Sequence, residues 1–169
     1  MKIRDARETD LPVIVEIYNQ SIPSRMATGD ITPITVESRL NWYREHSATS
    51  RPIWVVESEP NIISGWLSFQ DFYYRRAAYQ NTAELSIYIQ PEYHHKGVGK
   101  KLLETAIIRS PELKIKTLLG FIFAHNYPSL GLFEKFGFSR WGYLPQIADL
   151  DGIERDLVIV GLRINPIKA

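Results

Sequence analysis

Between Thr82 and Ser110 the apolar pattern changes its period across a single loop. Leu85, Ile87 and Ile89 alternate with Glu84, Ser86 and Tyr88, which predicts a strand over Thr82 to Gln90, closed by Pro91. Glu84 and Tyr88 then share one face of it. Beyond the loop, Val98, Leu102, Leu103, Ala106 and Ile107 recur at helical spacing, which predicts a helix over Gly97 to Ser110. A strand that passes its chain to an amphipathic helix in this way belongs to a mixed α/β domain.

The flanking segments extend that pattern. Met1 to Arg7 reads as a strand, and Thr9-Asp10 opens a helix carrying Leu11, Ile14, Val15, Ile17 and Tyr18 that stops at Pro23. Thr35 caps a second helix, Val36 to His46. Strands follow at Pro52 to Glu57 and Ile62 to Phe69, parted by the turn-like Glu59-Pro60-Asn61. After the central unit come a strand at Lys116 to Ala124 and a short helix, Pro128 to Phe136, ended by Gly137. Two last strands flank Asp151-Gly152, a hairpin-type turn. The order β-α-α-β-β-β-α-β-α-β-β is not that of a doubly wound fold; it predicts an α/β (α+β) domain with a mostly antiparallel sheet.

Composition narrows the chemistry. The 169 residues suit one domain, taken as 1–169, and the absence of cysteine removes disulfides, thiolate nucleophiles and cysteine-ligated zinc. With 20 basic and 19 acidic residues the formal charge is +1, so no global field draws the chain to nucleic acid. No apolar run approaches the ~18 residues of a membrane span, and Met1-Lys2-Ile3-Arg4-Asp5 does not read as a signal peptide. A soluble, cytoplasmic protein without membrane partners is expected. The histidines His46, His94, His95 and His125 show no metal-ligand spacing, so no metal is expected.

The loop His94-His95-Lys96-Gly97-Val98-Gly99-Lys100 offers free N–H groups at a helix start, with Lys96, Lys100 and Lys101 nearby. That combination suits a pyrophosphate or another phosphorylated ligand. A helix start with a solvated basic face accounts for the glycines equally well. A dinucleotide fingerprint is excluded because Leu102 stands where its third glycine belongs, and no Walker sequence is present.

His94-x-x-Gly97-x-Gly99 resembles the acetyl-CoA loop of the GNAT superfamily of N-acetyltransferases, Arg/Gln-x-x-Gly-x-Gly/Ala, with His at its first position. Asn126-x-x-Ser129-x-x-Leu132-Phe133-Glu134-Lys135-Phe136-Gly137-Phe138 resembles the second half of that family's cofactor site. Arg76-x-Ala78-Tyr79-x-x-Thr82-x-Glu84, then Tyr88-x-x-Pro91, is similar to the phosphinothricin N-acetyltransferase subgroup, as more loosely is Ala27-Thr28 followed by Arg39-x-x-Trp42.

The resemblance implies a GNAT-type sheet flanked by about four helices and transfer of an acetyl group from acetyl-CoA to a small-molecule amine, an amino acid or its analogue. It implies Glu84 as general base, where a solvated or arginine-paired strand glutamate is the alternative. It implies cofactor contacts from the Ile87, Tyr88 and Ile89 backbone, where the family's strand bulges and splays, from the helix-start amides of His95, Lys96, Gly97, Val98, Gly99 and Lys100, and from Asn126. Arg76 and Tyr79 become acceptor-binding candidates, because arginine pairs bidentately with carboxylates. Phe133 stands where relatives carry Tyr or His and cannot donate a proton. A homodimer is the implied assembly. Protein N-terminal acetylation and a non-catalytic acetyl-CoA-binding module are the competing functions.

Overall fold

The computed structural model describes residues 1–165. Its elements are β1 (Lys2–Asp5), α1 (Leu11–Ser21), α2 (Val36–Glu45), β2 (Ile53–Glu59), β3 (Ile62–Asp71), β4 (Thr82–Ile89), α3 (Val98–Arg109), β5 (Thr117–Phe123), α4 (Tyr127–Lys135), β6 (Ser139–Leu150) and β7 (Ile153–Arg163), joined in places by short 3-10 turns. The order is the one the sequence predicts. Residues 166–169 of the expected domain lie outside the described residues.

Seven strands form one sheet in the order β1-β2-β3-β4-β5-β7-β6. Neighbours are antiparallel except β4 and β5, which run parallel. The sheet buries both faces, and strand alternation divides its residues between two cores. Trp54, Leu67, Phe69, Ala83 and Leu85 pack with Val98, Leu102, Leu103 and Ala106 of α3 and Phe133 of α4. On the opposite face Ile53, Val55 and Trp66 pack with Ile14, Ile17 and Tyr18 of α1, and Trp42 of α2 joins them. Each face therefore carries one helix pair, α3 and α4 on one side and α1 and α2 on the other.

Local signals explain the boundaries. The Thr35 Oγ1 accepts the Ser38 N–H at 3.2 Å, which caps α2 as expected. Asp151 and Gly152 both adopt positive φ, 58° and 83°, as a tight hairpin with right-handed strand twist requires. Arg4 ties the first strand to the start of α1: its guanidinium bonds Asp10 at 2.7 and 3.1 Å and Glu57 at 2.7 Å. Burial pushes the Asp10 carboxyl up, but the Arg4 bonds and the Arg7 N–H outweigh it and hold the carboxyl below the usual range. Stability from this group is therefore present above the unfolded carboxyl's pKa and lost as pH falls through the lower folded value. Asp10→Asn should lower the melting temperature at neutral pH and matter progressively less in acid; an equal loss at all pH values would contradict the pairing.

Candidate active site

The site begins where two strands part. β4 and β5 pair over Thr82↔Thr117, Ala83↔Leu118 and Glu84↔Leu119 only, although β4 continues to Ile89 and β5 to Phe123. From Leu85 onward the facing edges carry backbone groups without a strand partner in that direction. Alternation decides which groups these are. The Gln90 N–H donates to the Ser64 carbonyl at 2.9 Å, so even-numbered residues of β4 turn their N–H groups toward β3. The amides of Ile87 and Ile89 therefore face the gap, while the Tyr88 amide faces β3. The β3–β4 register runs unbroken from Gly65↔Ile89 to Asp71↔Ala83, so the strands splay without the expected bulge. Divergence from β5 alone opens the edge.

The glycine loop lies beyond the end of β4. His94 Nε2 is 3.0 Å from the Ile89 carbonyl, which can only accept, so that nitrogen carries the proton in this contact. His95 and Gly97 both take left-handed backbone conformations, φ 60° and 84°, and turn the chain into α3. Gly97 occupies the cap position of α3 and has no side chain to cap it. The amides of Val98, Gly99 and Lys100 lie in the first turn, where helical partners are lacking, and Lys96, Lys100 and Lys101 are exposed around them. Such an end favours phosphate.

The two glycines serve different purposes. A Cβ on Gly97 would meet nothing within 4 Å, so only its backbone angle demands glycine. A Cβ on Gly99 would lie 2.9 Å from Ile89 Cδ1 and 3.2 Å from Leu132 Cδ2. Gly99 is buried and permits α3 to approach β4 and α4 closely, a role that sequence spacing does not distinguish from ligand approach.

Glu84 projects from β4 on the α1/α2 face, opposite Gln70 of β3. Burial pushes its carboxyl above the usual range, and no cation among the described residues offsets that effect. A carboxylate with a raised pKa is a better proton acceptor at neutral pH. Along the same face Ser86 and Tyr88 follow. They help line a cavity of about 100 Å³, together with Gln70, Trp66, Arg39 and Trp42. Tyr18 and Ile34 complete part of its wall. Tyr88 packs between Trp66 and Tyr18 at ring-centroid distances of 4.7 and 4.9 Å, and burial drives its phenol pKa strongly upward. The phenol is therefore protonated at neutral pH.

Asn126 is buried and spends its side chain locally. Its Oδ1 accepts the Ser129 N–H at 3.2 Å, capping α4, and its Nδ2 donates to the Met26 carbonyl at 3.0 Å. One N–H of that amide is left for any further partner. Phe133 is buried in the core, stacked edge-on against Phe138 at 4.8 Å. Its ring edge lies over Gly120 of β5, the first residue beyond the paired segment. Phe133→Tyr should leave kcat equal to the parent or modestly higher, because a thiolate with a pKa of roughly 8.5 departs without full protonation. A large fall in kcat would show that the ring edge has no room for a hydroxyl.

Arg76 and Tyr79 are not among the residues lining the cavity. Tyr73, Tyr74 and Arg75 all take positive φ near 56°, which swings the turn outward. Arg75 anchors that turn through Asp71 at 2.7 Å and the Glu45 carbonyl at 2.8 Å. The Arg76 guanidinium rests over the Tyr73 ring at 5.2 Å, and Tyr79 packs edge-on to Phe72. Sequence reasoning missed Arg39 and Gln70 as cavity residues; Arg39-x-x-Trp42 was the available signal.

Known proteins resemble this arrangement over nearly the whole chain. A model of the acetyltransferase (GNAT) family matches residues 14–138. The chain is 47% identical over 165 residues to a Bacillus subtilis protein named "Putative phosphinothricin acetyltransferase YwnH", covering 98% of this chain and all of that one (100%). It is 29% identical to the L-methionine sulfoximine/L-methionine sulfone acetyltransferase of Pseudomonas aeruginosa, over 99% of this chain and 96% of the relative. Among solved structures, the phosphinothricin acetyltransferase of Sinorhizobium meliloti in complex with acetyl-CoA superposes with a TM-score of 0.89. The two are 26% identical, over 96% of this chain and 88% of that one.

Proposed function

Since the chain belongs to the acetyltransferase (GNAT) family and is an acetyl-CoA-dependent N-acetyltransferase, we propose that its acceptor is an amino acid or amino-acid analogue of the phosphinothricin or methionine sulfoximine type. The observation that carries this reading is the cavity of about 100 Å³ lined by Arg39, Gln70 and Ser86; Glu84 is not in its lining but is the cross-strand partner of Gln70 and precedes Ser86 on the same face of β4. The cavity's size suits the end of a small acceptor.

In this reading the two substrates meet through the sheet. Acetyl-CoA supplies an activated thioester. The first-turn amides of α3, with Lys96 and Lys100, hold its pyrophosphate on one face, and the Ile87 and Ile89 amides in the β4–β5 gap bind the arm. One of those amides donates to the carbonyl oxygen as negative charge develops there. Asn126 contributes its remaining N–H. The acceptor amine arrives from the α1/α2 face, where Glu84 takes its proton directly or through a water.

A single domain over 1–169, a cytoplasmic location and a homodimer complete the reading. Tyr73, Tyr74 and Tyr79 are 53%, 95% and 40% exposed, an aromatic surface suited to a second copy. A monomer mass by light scattering at micromolar concentration would contradict the dimer. The acceptor class is tested by acetyl-CoA turnover with phosphinothricin, methionine sulfoximine, methionine sulfone, free amino acids, polyamines and a short peptide. Turnover of the amino-acid group is expected; turnover of the peptide or polyamines alone would overturn the reading.

A further inference from the structure

Arg39 has a setting that the mechanism above leaves unused. Its guanidinium lies over the rings of Tyr18 at 5.1 Å and Trp42 at 5.6 Å, and it lines the cavity. Of the side chains that line the cavity among the described residues, it alone carries charge. It forms an ion pair with Asp30 at 3.7 Å, longer than a hydrogen bond, and Asp30 accepts its hydrogen bond from the Tyr18 hydroxyl instead. No hydrogen bond among the described residues occupies the five N–H donors of Arg39. Beside it the Trp42 Nε1–H is buried and also without an acceptor. Two aromatic faces thus hold a planar cation against a cavity, with its donors unspent.

The support around Arg39 is fixed in advance of any ligand. Thr35 caps the helix that carries it. Asn19 bonds both the carbonyl and the N–H of Ile34, each at 2.9 Å, and so pins the segment leading into that helix onto α1. With its helix fixed in this way and its guanidinium resting on two rings, the side chain loses little freedom when it binds, which makes it an effective selector.

We propose that Arg39 is the specificity-determining residue for the acceptor, pairing bidentately with the carboxylate of an α-amino acid while Glu84 receives the proton from its amine. The proposal rests on the amino-acid reading given above. Guanidinium and carboxylate match in planar geometry, and a carboxylate shielded from bulk water makes the charge-assisted bonds count.

The test compares L-methionine sulfone with its carboxamide, which differ only in the charged group. The readout is the ratio of the two kcat/KM values in the parent, Arg39→Gln and Arg39→Lys. A ratio of this kind is unaffected by partial unfolding, since lost active enzyme lowers both values alike. The parent should prefer the acid. In Arg39→Gln the preference should fall on the order of 10- to 100-fold, as loss of a charge-assisted bond implies. Arg39→Lys should retain part of the preference, and the KM for acetyl-CoA should stay at the parental value in both. Parental preference kept by Arg39→Gln would overturn the Arg39 assignment and leave the amino-acid reading standing. A parent that ignores the acid, or accepts the amide equally, would instead overturn the amino-acid reading, and the assignment with it.

Discussion

Glu84→Gln should lower kcat/KM by about 10²- to 10⁴-fold, the usual contribution of a positioned general base, while leaving acetyl-CoA affinity nearly unchanged. Glutamine keeps the shape and an acceptor oxygen but cannot take a proton. The same substitution has a second, opposite effect. Because burial raises the folded carboxyl's pKa, the folded state holds its proton more tightly than the unfolded state. Stability from this group is therefore fully present in acid, below the unfolded carboxyl's pKa, and is lost as pH rises through the folded value. At neutral pH the parent bears the cost of a buried negative charge, and the glutamine variant does not. Glu84→Gln should accordingly melt at or above the parental temperature at pH 7, and the difference should vanish in acid. Near-parental kcat/KM across neutral pH would remove the base assignment.

Gly99→Val should damage both stability and cofactor binding. The added side chain collides with Ile89 and Leu132 inside the contact between α3, β4 and α4. Overfilling a packed contact typically costs about 1–3 kcal/mol, which in a chain of this size lowers Tm by roughly 2–12 °C. Pushing α3 away from the end of β4 also moves its first-turn amides relative to the gap, so acetyl-CoA should bind much more weakly. Gly97→Ala separates the two effects. Its Cβ meets no neighbour, and only the positive φ is penalised, at about 1–2 kcal/mol. Calorimetric titration with acetyl-CoA alongside thermal melts distinguishes them. Gly99→Val with parental Tm and parental affinity would contradict the packing.

The element order was readable because each element announces itself locally. The alternation of Leu85, Ile87 and Ile89 marks β4, Thr35 caps α2, and Asp151-Gly152 turns the last hairpin. What was not readable depends on neighbours distant in sequence. The parting of β4 from β5 after Glu84 and Leu119 is a matter of pairing between strands that α3 separates along the chain. Gly99 reads as a ligand-approach glycine until Leu132 is seen beside it. Arg76 sits in a motif that places it near Glu84 along the chain, but follows three left-handed residues and is not in the cavity's lining. Arg39 reads as one more charge on a polar helix, and becomes conspicuous only when Tyr18, from another helix, covers its face.

In the proposed mechanism acetyl-CoA and the acceptor occupy opposite faces of the sheet at the same time and react directly across the β4–β5 gap. The chain has no cysteine to carry the acetyl group, and in the proposed mechanism Glu84 takes its proton from the amine. Initial velocities measured against acetyl-CoA at several fixed concentrations of L-methionine sulfone test this most directly. Intersecting double-reciprocal lines, the pattern of a ternary complex, are expected. Parallel lines, the pattern of an acetylated enzyme formed before the acceptor binds, would contradict this mechanism.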